Sequence, residues 1–485
     1  MLLAGCATVE VGPEPGLEQK AQQPRQALLA REAPLTAQNG EKSTGWNLQT
    51  LHSQKLADNP DSTLTLERAW QLALENDPTY QAALSGLAAA QTESRLGRAA
   101  ILPQVQAGYS RSQISGLRRV HLNGSMREGE LDYDSTSAYI QLQQPLFNVE
   151  RYAQYQGGQA RARLGEAEFA VREYETAMRL IAAYVDAVAA EGALKLARAL
   201  AESLEEQAAT QDALFAKSEA SSVDAQETRA RLALARADVI AAEDARNVAR
   251  RQLEAVIGRK PPPLLSLEHL TEDRARMSAP LLAWLERAQA NGAAVRAARA
   301  RLRVADTEVR RAGAQHLPTA DLVMALSDAD SENLDTLSQK SNTFTVGVHV
   351  EIPIFSGGFD TANHARRRHA RKQAAQELRQ TQEHMAAEVT RQYTAVQGGA
   401  DRIAALISSV SSGEESLVAS RYGYQYGINS NLDVLRMQDS LFQARHELLA
   451  ARASWLEARI ALAAAAGEPL RKVFVELDQL LWFTR

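Results

Sequence analysis

The chain has 485 residues, a formal net charge of −5 and 45% hydrophobic residues. No apolar run approaches the ~18 residues of a membrane-crossing helix, and no segment is basic enough to suggest a nucleic-acid binder. No nucleophile–base pairing, phosphate loop or nucleotide-binding motif stands out, so nothing argues for an enzyme, a cofactor or a metal centre.

Cys6 is the single cysteine, which rules out an intrachain disulfide. Leu3-Ala4-Gly5-Cys6 resembles a bacterial lipobox and predicts lipidation at Cys6; a chance tetrapeptide is the alternative. Ala7 after the cysteine suits outer-membrane sorting. Residues 7–62 are rich in Pro, Gln, Glu and Gly and read as a linker or surface strap. Residues 1–62 thus form a lipoprotein-like N-terminal segment.

From residue 63 the chain is written twice. Ala73 and Asn76 match Ala288 and Asn291 at an offset of 215, as Leu102-Pro103 matches Leu317-Pro318. Gln144-Pro145-Leu146-Phe147 matches Ile352-Pro353-Ile354-Phe355 at 208, and Val223-Asp224 and Gly258 match Leu432-Asp433 and Gly467 at 209. Landmarks in one order at near-constant offset indicate an internal duplication. The repeats span 63–258 and 279–467, with an inter-repeat segment at 259–278 and a tail at 468–485.

Each repeat has the same grammar. A helix over 64–102, or 279–317, runs to a Leu-Pro, where proline pushes the preceding residue out of the α region. Two-residue alternation predicts strands over 104–110 and 136–147, then 319–326 and 343–355. Polar loops are expected at 111–135 and 328–342. Long helices over 148–216 and 357–424 follow, each about 100 Å at ~1.5 Å per residue. Further helices span 221–258 and 430–466.

Val434, Leu441, Leu448, Trp455 and Leu462 recur every seven residues, and Leu435, Phe442, Leu449, Leu456 and Ala463 repeat one place along. Leu164, Val171, Met178 and Val185 keep the same period in the first repeat. A strict heptad implies left-handed coiled-coil packing. Two adjacent seams predict a helix with neighbours on both sides; an ordinary bundle core is the alternative.

The strands decide the class. Phe344, Val346, Val348, Val350 and Ile352 alternate with Thr345, Gly347, His349 and Glu351. Strands of ~10 residues with one apolar face fit a tilted membrane β-strand. An open sheet cannot sit in lipid, and four strands cannot close a useful barrel. Membrane strands would therefore be pooled with other copies of the chain. Their apolar faces would meet lipid, and Gln141, Gln143, His349 and Glu351 would face a wet lumen. A small soluble β-domain on a helical stalk is the alternative.

The ERAWQLALENDP opening, the paired Leu-Pro junctions, QPLF and IPIFSGG, and YQYGINSNLDVL together resemble the TolC family of outer-membrane channels over about residues 64–467. The resemblance implies a mainly α chain with membrane β-strands. Three copies would form a twelve-stranded β-barrel and a long coiled-coil α-helical barrel across the periplasm. Residues 259–278 and 468–485 would then be equatorial segments.

The implied function is an outer-membrane exit duct for protein (type I secretion) or drugs. It implies a homotrimer, a periplasmic membrane-fusion adaptor and an inner-membrane ABC or RND exporter as partners, with no nucleic acid and no cofactor. Asn76-Asp77-Pro78 and the Gln-Pro-Leu-Phe form look most like type I secretion members. The competing reading is a soluble periplasmic coiled-coil structural or adaptor protein.

The resemblance also assigns a periplasmic gate. Asp433 matches an acidic ring, and Tyr424 and Asp224 match a hydrogen-bonded pair that holds the gate closed. Asn429 stands where some members have an arginine, and Arg436 where they have a second acid. Helix N-capping is the alternative role for Asp224 and Asp433. Gly427 is expected to supply unusual backbone at the hairpin tip, and Gly357-Gly358 a strand-to-helix turn. His364 and His369, five apart, fall on different helix faces and do not suggest a metal site.

Overall fold

The computed structural model describes residues 63–122, 124–218, 221–271, 275, 279–331 and 339–481. Cys6 and the predicted segment 1–62 lie outside them. In chain order the elements are α1 (Leu66–Asn76), α2 (Pro78–Ala99), β1 (Gln104–Leu122), β2 (Ser125–Phe147), α3 (Val149–Ala216) and α4 (Ser222–Ile257). The second set is α5 (Leu281–Asn291), α6 (Ala293–Ala314), β3 (Thr319–Ser331), β4 (Gln339–Glu351), α7 (Phe359–Gln425) and α8 (Asn431–Ala465), followed by α9 (Leu470–Leu481).

Three expectations need correction. The helix predicted over 64–102 is two helices, because Asp77 is extended and Pro78 has no N–H to continue the ladder. Asp77 Oδ1 accepts the Thr79 N–H at 3.1 Å, so it caps α2 with proline at the first helical position. Gly292 breaks the matching helix of the second repeat.

The polar loop expected at 111–135 is instead paired strand. β1 and β2 stay in register from Gln104↔Gln143 to Leu122↔Ser125 around a two-residue turn, with Gly124 at φ 80. Arg111–Asp134 (2.7 Å) and Arg119–Glu128 (2.9 Å) ion pairs cross this polar ladder. In the second repeat the loop expected at 328–342 is shortened in the same way, since β3 runs on to Ser331 and β4 starts at Gln339, and β4 ends at Glu351 rather than Phe355. Pro353 cannot donate to a ladder, and Gly357 and Gly358 turn the chain into α7 at φ 64 and 84.

The repeats and the compact units divide the chain differently. One unit takes 89–167 and 297–380; the other takes the described parts of 63–88, 168–296 and 381–481. Each unit draws on both repeats. The first holds an antiparallel sheet in the order β1-β2-β3-β4. Beneath it α2 and α3 touch through glycines: a Cβ on Gly158 would fall 2.5 Å from the Glu93 carbonyl oxygen.

The second unit is helical. Its core gathers Leu66, Trp70, Leu180, Ile181, Tyr184, Leu253, Trp455 and Phe474, among others. The fully buried Tyr184 hydroxyl donates to the Leu64 carbonyl at 2.6 Å and accepts the Leu265 N–H at 3.3 Å, and burial pushes its pKa up. Both predicted seams of α8 exist. Leu441 and Trp455 pack over Gly413 and Gly399 of α7, while Leu449 packs over Gly192 of α3. Small residues on the neighbours make room for large residues on α8, as knobs enter holes.

Candidate functional site

The tips of the two helical hairpins carry the predicted gate residues. α7 ends in a Schellman turn: the Gly427 N–H donates to the Tyr424 carbonyl at 3.0 Å and the Ile428 N–H to the Gly423 carbonyl at 2.8 Å. Gly427 sits at φ 73, a conformation costly for other residues. The Asn429 side chain folds back toward the Ser420 carbonyl and hydroxyl at 3.4 and 3.5 Å.

Ser430 then caps α8 in a capping box. Its hydroxyl accepts the Asp433 N–H at 3.2 Å, and its own N–H donates to Asp433 Oδ2 at 2.9 Å. The Ser430 hydroxyl also bonds Asp433 Oδ2 at 2.6 Å. That hydroxyl bond, the Ser430 N–H and the nearby Arg436 charge hold the Asp433 carboxyl below its usual range. Asp433 is therefore a capping residue whose half-buried carboxylate stays charged.

The expected Tyr424–Asp224 hydrogen bond is replaced by another. The Tyr424 hydroxyl accepts from Gln211 Nε2 at 2.7 Å and donates to Gln211 Oε1 at 3.1 Å. Asp224 lies in the first turn of α4, after the N-cap Ser221, and contributes its carbonyl oxygen. Gln211 lies on α3, which also meets α7 where Arg421 Nη2 donates to Ser203 Oγ at 2.9 Å.

Asn431 is the hub beneath this pair, and it is only 1% exposed. Its Oδ1 accepts from Gln207 at 2.9 Å and Gln211 at 3.2 Å. Its Nδ2 donates to Thr228 Oγ1 at 3.0 Å and the Asp224 carbonyl at 3.4 Å. Both lone pairs and both protons are used, so the buried amide is satisfied. One side chain thus ties α8 to both helices of the other hairpin.

The sequence reading missed Gln207, Gln211, Thr228 and Asn431. A signal existed: Asn431, Gln438, Arg445, Arg452 and Arg459 recur every seven residues beside the apolar seam. A polar residue at a seam position marks a specific partner.

The four-stranded sheet carries the second set of predicted residues. Register places Gln104, Gln143, Val323 and Gly347 in one row, and Gln106, Gln141, Ala325 and Thr345 in the next. Asp321 lies opposite His349, and Thr319 opposite Glu351. Gln141, Gln143, His349 and Glu351 therefore share one face, where Gln143 Nε2 donates to Asp321 Oδ2 at 2.9 Å.

The other face is apolar and exposed, with Val105, Ile140, Phe344, Val346, Val348 and Val350. From Val350 to Phe344 this band covers about 20 Å of strand, close to the ~25 Å apolar belt of outer-membrane barrels. Asp328 and Asn342, opposite each other, end it on the far side.

Comparison with known proteins agrees with this geometry. The family model "Outer membrane efflux protein" matches residues 69–259 and 284–468. The alkaline protease secretion protein AprF of Pseudomonas aeruginosa is 32% identical over 408 residues, covering 83% of this chain and 84% of AprF. The proteases secretion protein PrtF of Dickeya chrysanthemi is 32% identical over 411 residues, covering 82% and 87%. The crystal structure of the outer membrane protein VceC of Vibrio cholerae has the same fold, with a TM-score of 0.71 at 18% identity over 84% of this chain and 96% of VceC. The chain belongs to the outer membrane efflux protein family and works as an exit channel of the bacterial outer membrane that extends into the periplasm.

Proposed function

We propose that this channel is the outer-membrane part of a type I protein secretion assembly. The observation that carries the reading is the likeness to two protease secretion proteins, AprF and PrtF, over more than four fifths of the chain. Three copies would pool twelve strands, since each offers four. The free edges of β1 and β4 would then pair between copies and leave no unpaired backbone in lipid. The amide-rich face would line the lumen and the apolar band would meet acyl chains. A periplasmic adaptor would join the hairpin tips to an inner-membrane ABC exporter, which supplies the energy.

The gate in this reading lies at the tips. A ring of three Asp433 carboxylates would narrow the entrance, with Asp224, Asn429, Gly427 and Arg436 around it. Tyr424 would hold the closed state through Gln211.

The test is complementation. The chain is expressed in a Dickeya chrysanthemi strain lacking PrtF, and protease in the medium is measured beside drug susceptibility. Restored protease export with unchanged drug susceptibility is the expected result. Restored drug resistance without protease export would overturn the secretion reading and favour small-molecule efflux. Light scattering in detergent checks the trimer.

A further inference from the structure

Next to the sheet, in the same compact unit, α3, α6 and α7 lie side by side and share a basic face. Gln156 on α3 accepts from Arg310 on α6 at 3.5 Å, and Asp306 on α6 pairs with Arg371 on α7. Two cavities of about 270 and 320 Å³ open on this face. Both are lined by Asp306 and Arg310, so they form one trough across the three helices. Arg163 and Arg303 line its first part, and His364, Arg368, Arg371 and Lys372 its second. Among the described residues Asp306 is the one acid lining either part, and Arg371 already occupies it. Glu166, a turn past Arg163 on α3, lines neither. Arg163, Arg303, Arg368 and Lys372 have no hydrogen bond or ion pair among the described residues. Four unopposed positive charges converging from three helices repel one another unless an anion sits between them.

The two faces of this helical layer differ in exposure. α3 and α6 are flanked within the chain, by α2 and by α7, so their exposure does not depend on other copies. On the trough side Arg163, Arg303 and Arg310 are exposed. Tyr152 is exposed too, and it shares that side of α3 through the helical spacing 152, 156, 159 and 163. On the opposite side Arg301 is exposed, but Leu164, Val304, Ala305 and Glu308 are half-buried. There the charges are matched, since Glu308 pairs with Arg161 at 3.7 Å and Arg367 at 3.6 Å. A curved layer of helices opens its convex side more than its concave side. The trough therefore lies on the outer side of a duct.

We propose that this trough binds the phosphate groups of anionic phospholipid in the periplasmic leaflet, just beneath the apolar band of the sheet. The proposal rests on the duct described above. Its level agrees. Arg310 and His364 lie about 6 and 8 Å from the ends of α6 and α7 that adjoin the sheet, and Arg303 and Lys372 about 17 and 20 Å. A headgroup layer is about 5–8 Å deep. Long basic side chains reach up toward it, and its field extends a further ~8 Å at physiological salt. Tyr152, in the first turn of α3, is the residue type that collects at such an interface. The guanidinium groups of Arg303, Arg310 and Arg368 suit phosphate, which they can bind through two parallel N–H donors.

The experiment uses the full chain purified as a trimer in detergent. Native mass spectrometry measures binding of dioctanoyl phosphatidylglycerol, dioctanoyl phosphatidylcholine and inorganic phosphate. The expected result is binding of phosphatidylglycerol, little binding of phosphatidylcholine, and weak competition by inorganic phosphate. Each basic residue near an anionic lipid surface strengthens binding about five-fold, so the triple variant Arg303→Gln, Arg368→Gln, Lys372→Gln is expected to weaken it roughly a hundred-fold. Arg301→Gln on the opposite side is expected to leave it unchanged. Equal binding of the two lipids, unchanged binding in the triple variant, or inorganic phosphate binding as tightly as phosphatidylglycerol would each overturn the lipid site while leaving a conducting trimer intact. A fall in single-channel anion selectivity in the triple variant, with lipid binding intact, would overturn it too, by placing the trough in the lumen against passing cargo. Absence of a trimer or of any current would overturn the duct reading itself.

Discussion

The amide of Gln211 and the phenol of Tyr424, 213 residues apart, exchange two hydrogen bonds at the meeting of the two hairpins. Both groups are neutral, so this link is indifferent to salt, unlike an exposed ion pair. A neutral hydrogen bond contributes about 1 kcal/mol net, roughly five-fold in an equilibrium for each chain. Gln211→Leu or Tyr424→Phe is expected to raise the resting open probability in planar bilayers, with little change between low and high salt. Asp224→Asn, which leaves its carbonyl in place, is expected to change it little. A dominant effect of Asp224→Asn would restore the Tyr424–Asp224 pair as the latch.

Asp433 can be a cap, a charge at the entrance, or both. Asp433→Asn keeps an acceptor for the Ser430 N–H and removes the charge; Asp433→Ala removes both. Cation selectivity in bilayers is expected to fall in both variants, while thermal stability falls only in Asp433→Ala. Because its carboxyl is held below the usual range, the selectivity of the unsubstituted channel should persist as the pH is lowered to the ordinary carboxylate range. Unchanged selectivity in Asp433→Asn would leave it a cap alone.

Asp478 on α9 receives the Leu66 and Glu67 N–H groups at 2.7 and 2.9 Å, closing the start of α1. Burial raises its pKa from 3.8 to about 6. The folded state thus holds this proton more tightly than the unfolded chain does. The contribution is fully present below about pH 4 and is lost as pH rises through about 6. A shift of about two units corresponds to about 3 kcal/mol. Measured by thermal melting across pH 4 to 7, Asp478→Asn is expected to gain stability relative to the unsubstituted chain as pH rises. A constant difference across that range would refute the assignment.

Gly258 and Gly467 end α4 and α8 at φ 75 and 70, and each lies against the asparagine that ends the repeat's first helix. A Cβ on Gly258 would fall 2.4 Å from Asn76 Cβ, and one on Gly467 2.5 Å from the Asn291 carbonyl oxygen. Gly258→Ala and Gly467→Ala should each lower stability by more than about 1 kcal/mol, from positive φ and collision together. Gly86→Ala, with open space around it inside α2, should raise it by up to about 1 kcal/mol. Melting temperatures in detergent decide this, and a neutral Gly258→Ala would show that α1 can move aside.

Much was legible in the sequence because period and punctuation are local. The heptads through Val434 and Leu435 predicted both neighbours of α8. The alternation at 343–351 placed His349 and Glu351 on one face, as the register then showed. The hairpin at 111–135 was illegible as strand for an equally local reason. Its apolar residues change faces midway, so no single alternation runs through it. A single helix across Asp77-Pro78 fails because the proline nitrogen has no hydrogen to donate to the preceding turn.

By itself, then, the sequence determined the duplication, the helix and strand periods, the turn glycines and the family, since each is written within a few residues or at a fixed offset. Only the tertiary structure decided which distant side chains meet. Gln211 rather than Asp224 reaches Tyr424, Asn431 ties α8 to both helices of the other hairpin, and Asp478 caps a helix 412 residues away. Hydrogen bonds act over about 3 Å, and no one-dimensional pattern records which segments approach that closely.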